Sequence, residues 1–436
     1  MTETIAILIQ ISYFIFLSLF PLNAFNNRLS YFSVSKLSFI DKLSANTIIN
    51  INVLFILSLL KISFSIIFYF QIIFGIASLI FFLKNQKEFN YKDIYILIII
   101  FIINFILSIV IASNLILGWD SDFRWIMKAL NFVQGNNVDN LYKFTDSAYP
   151  FLGSLIWGYF WKNSLLGYEY FGRLFYIYLF ILSIFSLSEI LNFKLNYRIC
   201  VVISLILLGF QYVYFNGYQD IVIFSIICFI SKILYCYFFD YKHKKSRKIS
   251  LEIILLILLF NILVWIKHEG TIYLCFFLIL FLFFSKNYQS NIFLTASIIL
   301  IFIFKLKIYD YLNLPFPYPE VYSRSFSDFG FETLLSRFLL VSKYYLIFIF
   351  NNFLMLISLI SFLLIFIFQK NTRYLKFFLL FFLLNLGFIY GSHLFMNLQN
   401  VDYWITHTIP RFMIQTTGFY LIAFFIFFNK LSRFLK

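Results

Sequence analysis

Residues 94–122 read IYILIIIFIINFILSIVIASNLILGWDSD. From Ile94 to Leu117 no position is charged, and at about 1.5 Å per residue a helix of that length crosses the roughly 30 Å hydrocarbon core of a bilayer. The run stops at Gly118-Trp119-Asp120-Ser121-Asp122, where a helix-breaking glycine and an interfacial tryptophan are followed by two carboxylates at i and i+2. The stretch therefore holds a membrane span and an acid pair at its mouth.

The same pattern recurs along the chain. Of its 436 residues 62% are hydrophobic and 12% charged, with 65 Phe and 31 Tyr, a composition that excludes an ordinary soluble domain. Runs of about 17 or more apolar residues predict helices near 4–24, 47–64, 66–83, 94–117, 170–191, 200–216, 220–239, 251–266, 270–285, 291–308, 343–368, 375–395 and 411–428. The expected fold is all-α, a polytopic integral membrane protein of about 11–13 transmembrane helices with non-cytoplasmic catalytic loops, forming a single transmembrane domain over 1–436. The first apolar run has no basic residue before it and no small-residue cleavage site after it, which predicts a retained helix rather than a cleaved signal. Cys200, Cys228, Cys236 and Cys275 lie in apolar segments without CxxC spacing, which implies neither a disulfide framework nor a zinc site.

Charge sets the orientation. Segments 25–46, 84–93, 192–199, 240–250, 286–290, 369–374 with Lys376, and the C-terminal residues hold 20 of the 34 Lys and Arg, and the positive-inside rule puts them in the cytoplasm. The net charge of +15 then reports topology and not a nucleic-acid partner. The opposite face receives 118–169, 217–220, 267–270, 309–342 and 396–411, and with them 12 of the 19 acidic residues. Charges at a membrane border are costly unless paired or hydrated, so their gathering on one face argues for a site.

Four clusters there carry candidate chemistry. Asp120 and Asp122 have Arg124, Trp125 and Lys128 beside them; one carboxylate can face a substrate while a cation or metal holds the other, or Asp120 or Ser121 can simply cap a following helix. Tyr149-Pro150 opens a short aromatic segment with Trp157 and Trp161 that reads as interfacial. In Lys267-His268-Glu269-Gly270, Lys267 suits a phosphate, His268 can bond to it, and Glu269 can accept from a hydroxyl; a Lys-Glu bridge closing the hairpin is the plainer reading. Asp402, Trp404, His407, Arg411 and Gln415 lead into the last helix. His407, Arg411 and Gln415 share one face if that helix begins by Thr406, whereas Pro410 argues that it begins later. The Pro315, Pro317 and Pro319 loop within 309–342 reads as a stiff connector or lid.

Taken together, Gly118-Trp119-Asp120-Ser121-Asp122 with Trp125 and Lys128-Ala129, Tyr149-Pro150, Gly217-Tyr218-Gln219-Asp220, Lys267-His268-Glu269-Gly270, and His407-Thr408 with Arg411 and Gln415 resemble C-type membrane glycosyltransferases. The resemblance is to the branch of the protein O-mannosyltransferases and aminoarabinose transferases, over about residues 94–420; the chain differs at His268 and in lacking an acid directly before Arg411. It implies transfer of a sugar from a polyprenyl-phosphate-linked donor to a lipid, glycan or protein acceptor, at the periplasmic or exterior face of a bacterial inner membrane. It implies Asp120 as base with Asp122 second, phosphate held by Lys267, His407 and Arg411, and sugar hydroxyls positioned by Asp220 and Glu269. Arg124, Lys128, Tyr149, His268 and Gln415 complete the expected substrate-binding set. No cofactor is required, and a divalent cation is left open. The rival readings are a lipid-linked oligosaccharide flippase or other transporter, and an O-antigen-type polymerase. Transporters place ionisable residues deep in broken spans of repeated halves. Here only Lys61 and Lys232 fall well inside predicted spans, and the two halves show no repeat.

Overall fold

The computed structural model describes residues 2–24, 37–85, 90–144, 146–239, 251–315, 330–368, 372–395 and 401–434. Among these it contains sixteen α-helices and no strand. Ten are long and apolar enough to cross a membrane, and four shorter apolar helices accompany them. Several long helices carry apolar side chains all round while protein covers only a minority of their surface, as in α3 (Phe64–Asn85) and α4 (Tyr91–Ala112). Such faces need an apolar solvent. The chain is an integral membrane protein.

It divides into two compact units. The first comprises residues 1–189, 211–274 and 285–315. Its helices are α1 (Thr2–Leu19), α2 (Phe39–Leu59), α3, α4, α5 (Ile126–Gly135), α6 (Leu152–Lys162), α7 (Tyr170–Ser188), α9 (Asp220–Phe239), α10 (Leu251–Ile266), the start of α11 (His268–Phe284) and α12 (Tyr288–Tyr311). Side-chain caps begin α2, α4 and α12: Ser38 accepts from the Asp41 N–H, Asn90 from Lys92, and Asn287 from Gln289 and Ser290. Where α1 ends, its orphaned carbonyls are met by α2. Asn46 donates to Ser18 O at 2.9 Å and Asn50 to Leu17 O at 2.9 Å. In a bilayer no water would satisfy them.

The centre of this unit is α7, every residue of which is buried. It packs against α1, α2, α4, α6 and α9, and aromatic rings fill the seams: Phe160 stacks on Phe175 at 4.3 Å, and Phe14 meets Phe160 edge-on at 5.0 Å. The short α6 is buried from Leu152 to Phe160. Trp157 therefore belongs to the protein interior, a correction to the interfacial reading of this segment. Lys61 is also corrected. It follows α2 in a left-handed turn (φ 59°) and pairs with Asp139 at 2.9 Å, outside any span. Lys232 does lie within a helix, where it pairs with Asp41.

The second unit comprises residues 190–210, 275–284 and 316–436, with α8 (Leu195–Gly209), the remainder of α11, α13 (Phe331–Asn351), α14 (Phe353–Phe368), α15 (Thr372–Leu394) and α16 (Val401–Phe434). The single span expected at 343–368 is two helices, because Asn352 leaves helical geometry and its side chain caps α14 by accepting from the Met355 N–H at 2.9 Å. Residues 331–342, read as part of a loop, belong to α13; the Pro317 and Pro319 stretch lies outside the described residues. Phe381 stacks on Phe419 at 3.8 Å, and Asn385 donates to Thr416 and Tyr420 across the α15–α16 seam.

Candidate functional site

In the first unit the acid pair is fixed by a backbone dock. The Gly118 N–H donates to Asn216 O at 2.9 Å. A Cβ on Gly118 would lie 2.4 Å from the Tyr218 ring, and one on Gly217 (φ 82°) would lie 2.6 Å from Trp157 and 2.9 Å from Ser121. Both contacts need the missing side chain, and Gly217 also needs the left-handed freedom of glycine. The two glycine motifs, at Gly118 and Gly217, are thus two sides of one joint.

Past the joint the chain enters a π-helical turn, Ser121–Trp125, that leads directly into α5. Such turns re-aim side chains and are frequent at functional sites. Asp120 stands at its start and makes no side-chain capping bond there. The capping alternative for Asp120 is therefore not what the segment does: the Ser121 and Asp122 N–H groups both go to Gly118 O at 2.9 Å. Asp120 is 7% exposed and its charge acts on both Arg124 and Tyr149, whereas Asp122 is exposed.

The cations around the pair differ in how they are neutralised. Arg124 donates to Asp146 Oδ2 at 2.8 Å and lies over the Tyr149 ring at 4.1 Å. Lys267 is buried between two acids, Asp220 Oδ1 at 2.9 Å and Glu269 Oε1 at 3.2 Å. The Lys-Glu bridge of the plainer reading is thus present, and Asp220 joins it from α9. Lys128, 1% exposed, donates to a carbonyl, Tyr149 O at 2.8 Å, and among the described residues is in no salt bridge. Burial, with Arg124 nearby, pulls its pKa down to about 7. The Tyr149 phenol is pushed up by burial. Its ring lies 4.6 Å from His268, on which the charges of Lys305, Glu269, Lys128 and Lys267 all act.

Asp120, Arg124, Lys128, Tyr149, Asp220, Lys267, His268 and Glu269 thus form one neighbourhood, and Asp122 flanks it on the π-helical turn. The remaining expected residues are in the second unit on α16. That helix starts at Val401 and runs through Pro410, so His407, Arg411 and Gln415 do share a face. Along it His407 is exposed, Arg411 half-buried and Gln415 buried. His407 bonds Tyr403 O at 2.8 Å, one turn back.

Three participants escaped sequence reading. Asp146, in the long loop, has no local motif that would mark it as the partner of Arg124. Lys305, on α12, donates to Val264 O at 3.3 Å and lies over Trp265 and Tyr309; an ionisable residue six positions inside an apolar helix end was its signal. Tyr309 ties α12 to the loop by donating to Ala148 O at 2.7 Å. Among the described residues no group of three or more His, Cys, Asp or Glu is gathered as metal ligands. The chain matches no protein-family model, no curated protein and no solved structure.

Proposed function

We propose that the first unit carries the transfer site of a membrane glycosyltransferase, which moves a sugar from a polyprenyl-phosphate-linked donor to a hydroxyl of a lipid, glycan or protein acceptor. The observation that supports this reading is the joining of a largely buried carboxylate, Asp120, to a group of cations contributed by the 118–149 loop, the α10–α11 turn and α12. Such a juxtaposition matches the two demands of the chemistry. An acceptor hydroxyl must lose its proton to a base as its oxygen bonds the anomeric carbon, while the carbon–oxygen bond to phosphate breaks and the electron pair leaves on the phosphate oxygen. Cations fixed beforehand near that oxygen stabilise the charge it gains. In this reading Asp120 takes the proton, Asp122 is second to it, and Asp220 and Glu269 hold sugar hydroxyls through the Lys267 triad. Arg411 and His407, expected from the resemblance to hold phosphate, lie in the second unit and are given no part in this site.

The test is transfer of radiolabelled sugar from polyprenyl-phosphate donors to endogenous acceptors in membranes at matched expression. Asp120→Asn is expected to lower transfer by about 10²- to 10⁴-fold, the usual contribution of a general base, with insertion and yield unchanged. Equal transfer in both proteins would remove Asp120 as base, and absence of transfer across a broad donor panel would move the transporter reading ahead.

A further inference from the structure

Two lysines of the first unit stand apart from the other cations of the neighbourhood. Arg124 has Asp146, and Lys267 has Asp220 and Glu269. Lys128 and Lys305 each donate to a backbone carbonyl and, among the described residues, neither is in a salt bridge. They come from different elements, α5 and α12, yet they converge. Lys128 holds Tyr149 O while Tyr309, over which Lys305 lies, holds the adjoining Ala148 O. Both lysines also act on the same His268 ring.

Each lysine lies beside a tryptophan with an idle donor. The Lys128 ammonium is 5.7 Å from the Trp125 ring and that of Lys305 is 5.8 Å from the Trp265 ring. Both tryptophans are fully buried, and the indole N–H of each has no acceptor among the described residues. An ammonium without a counter-ion, buried at Lys128 and half-buried at Lys305, and a buried N–H without an acceptor are each costly. Two of each, within one neighbourhood and all of donor character, call for an acceptor-only ligand with several oxygens and negative charge.

We propose that Lys128 and Lys305, flanked by Trp125 and Trp265, form the seat of a phosphate-class anion. The seat needs no sugar and no transfer, so it stands or falls separately from the transferase reading; if both hold, it assigns the leaving phosphate to these lysines in place of Lys267, whose charge two acids already neutralise. Access fits a lipid-borne phosphate. Lys305 is only partly buried and lies six residues before the end of α12 at Tyr311, about 9 Å along the helix axis, near headgroup depth. A free phosphate offers the same oxygens, and the experiment separates the two sources.

The full chain in detergent is titrated with a long-chain prenyl monophosphate and, separately, with inorganic phosphate, and binding is followed by tryptophan fluorescence and calorimetry. Wild type is expected to saturate with the lipid monophosphate, and Lys305→Met to bind at least about tenfold more weakly, the loss expected for one charge-assisted hydrogen bond. Lys305→Arg should retain most of the affinity. Lys307→Met, which removes an exposed charge from the same helix, should bind as wild type does. Saturation by inorganic phosphate with the same dependence on Lys305 would support the seat with a soluble source. The proposal is overturned if neither ligand saturates, or if both bind equally to wild type and Lys305→Met. Because Lys128 is buried against a backbone carbonyl, Lys128→Met is read only where its thermal transition matches wild type; Lys305→Met decides the question without it. Saturable binding together with no transfer from any donor would sustain the seat and remove the transferase reading.

Discussion

Asp120 and Asp122 are two residues apart yet live in different solvents. Asp120 is nearly buried beside Arg124 and Tyr149, and Asp122 is exposed on the same π-helical turn. A base that must take a proton away from water is better served by the first. Asp122→Asn is accordingly expected to reduce transfer by less than about tenfold, against the much larger loss for Asp120→Asn, measured in the same membranes. Lys128 gives a pH signature. Its pKa of about 7 lies below the ordinary 10.5, so between these values the unfolded chain holds more protons than the folded one, and stability from this group rises with pH across that window. Anion binding has the opposite sense, since only the protonated amine attracts an anion. Affinity for a phosphate ligand should fall as pH rises through about 7, with proton uptake on binding seen by calorimetry in two buffers. The charges facing the amine are Arg124 and Asp146. Comparison with a folded Lys128→Met variant separates its titration from that of the phosphate itself.

At the scale of elements, the Gly118–Gly217 joint decides where the acids stand. Gly217→Ala places a methyl against Trp157 and Ser121 in a left-handed backbone, and is expected to cost about 1–3 kcal/mol, read as a lowered thermal transition in detergent together with reduced transfer. Much of this was legible beforehand. Apolar runs of span length gave nearly every long helix, since in a bilayer the backbone has no alternative to the helix. The Gly118 and Gly217 motifs, and the Lys-His-Glu turn, stood out because charge and glycine at a span's end are conspicuous. What stayed hidden depends on partners. Nothing local tells that Asp146 meets Arg124, that Asp220 reaches Lys267, or that Lys305 joins the site. The break at Asn352 was hidden for another reason: it uses a side-chain cap from an Asn351-Asn352 pair set in an otherwise apolar run, with neither Gly nor Pro to mark it. Pro410 misled in the opposite direction, since α16 runs through it.

At the scale of the molecule, one end of the first unit collects the site, and polar contacts tie its segments together there. The turn after α2 meets the long loop through Lys61–Asp139 and through the Phe64 N–H donating to Asn136 O at 2.9 Å. In a background lacking the four native cysteines, Gln134→Cys is expected to label with a membrane-impermeant maleimide applied from outside, and Lys244→Cys only after the membrane is opened. Reversal of that pattern would invert the topology and put the acids in the cytoplasm.

Arg173 sits within α7, the helix that protein surrounds completely, and it is 0% exposed. Its partner is Glu169, one turn earlier in the chain, joined by two hydrogen bonds of 2.9 Å. The ion pair is therefore sequence-local and can form as soon as this stretch coils, before any neighbouring span has arrived. During biogenesis the nascent helix can leave the insertion machinery as an electrically silent rod, its guanidinium already answered, and wait in lipid for the partners that will later enclose it. Glu169→Gln would cancel that self-sufficiency, and the cost would fall first on the yield of inserted protein.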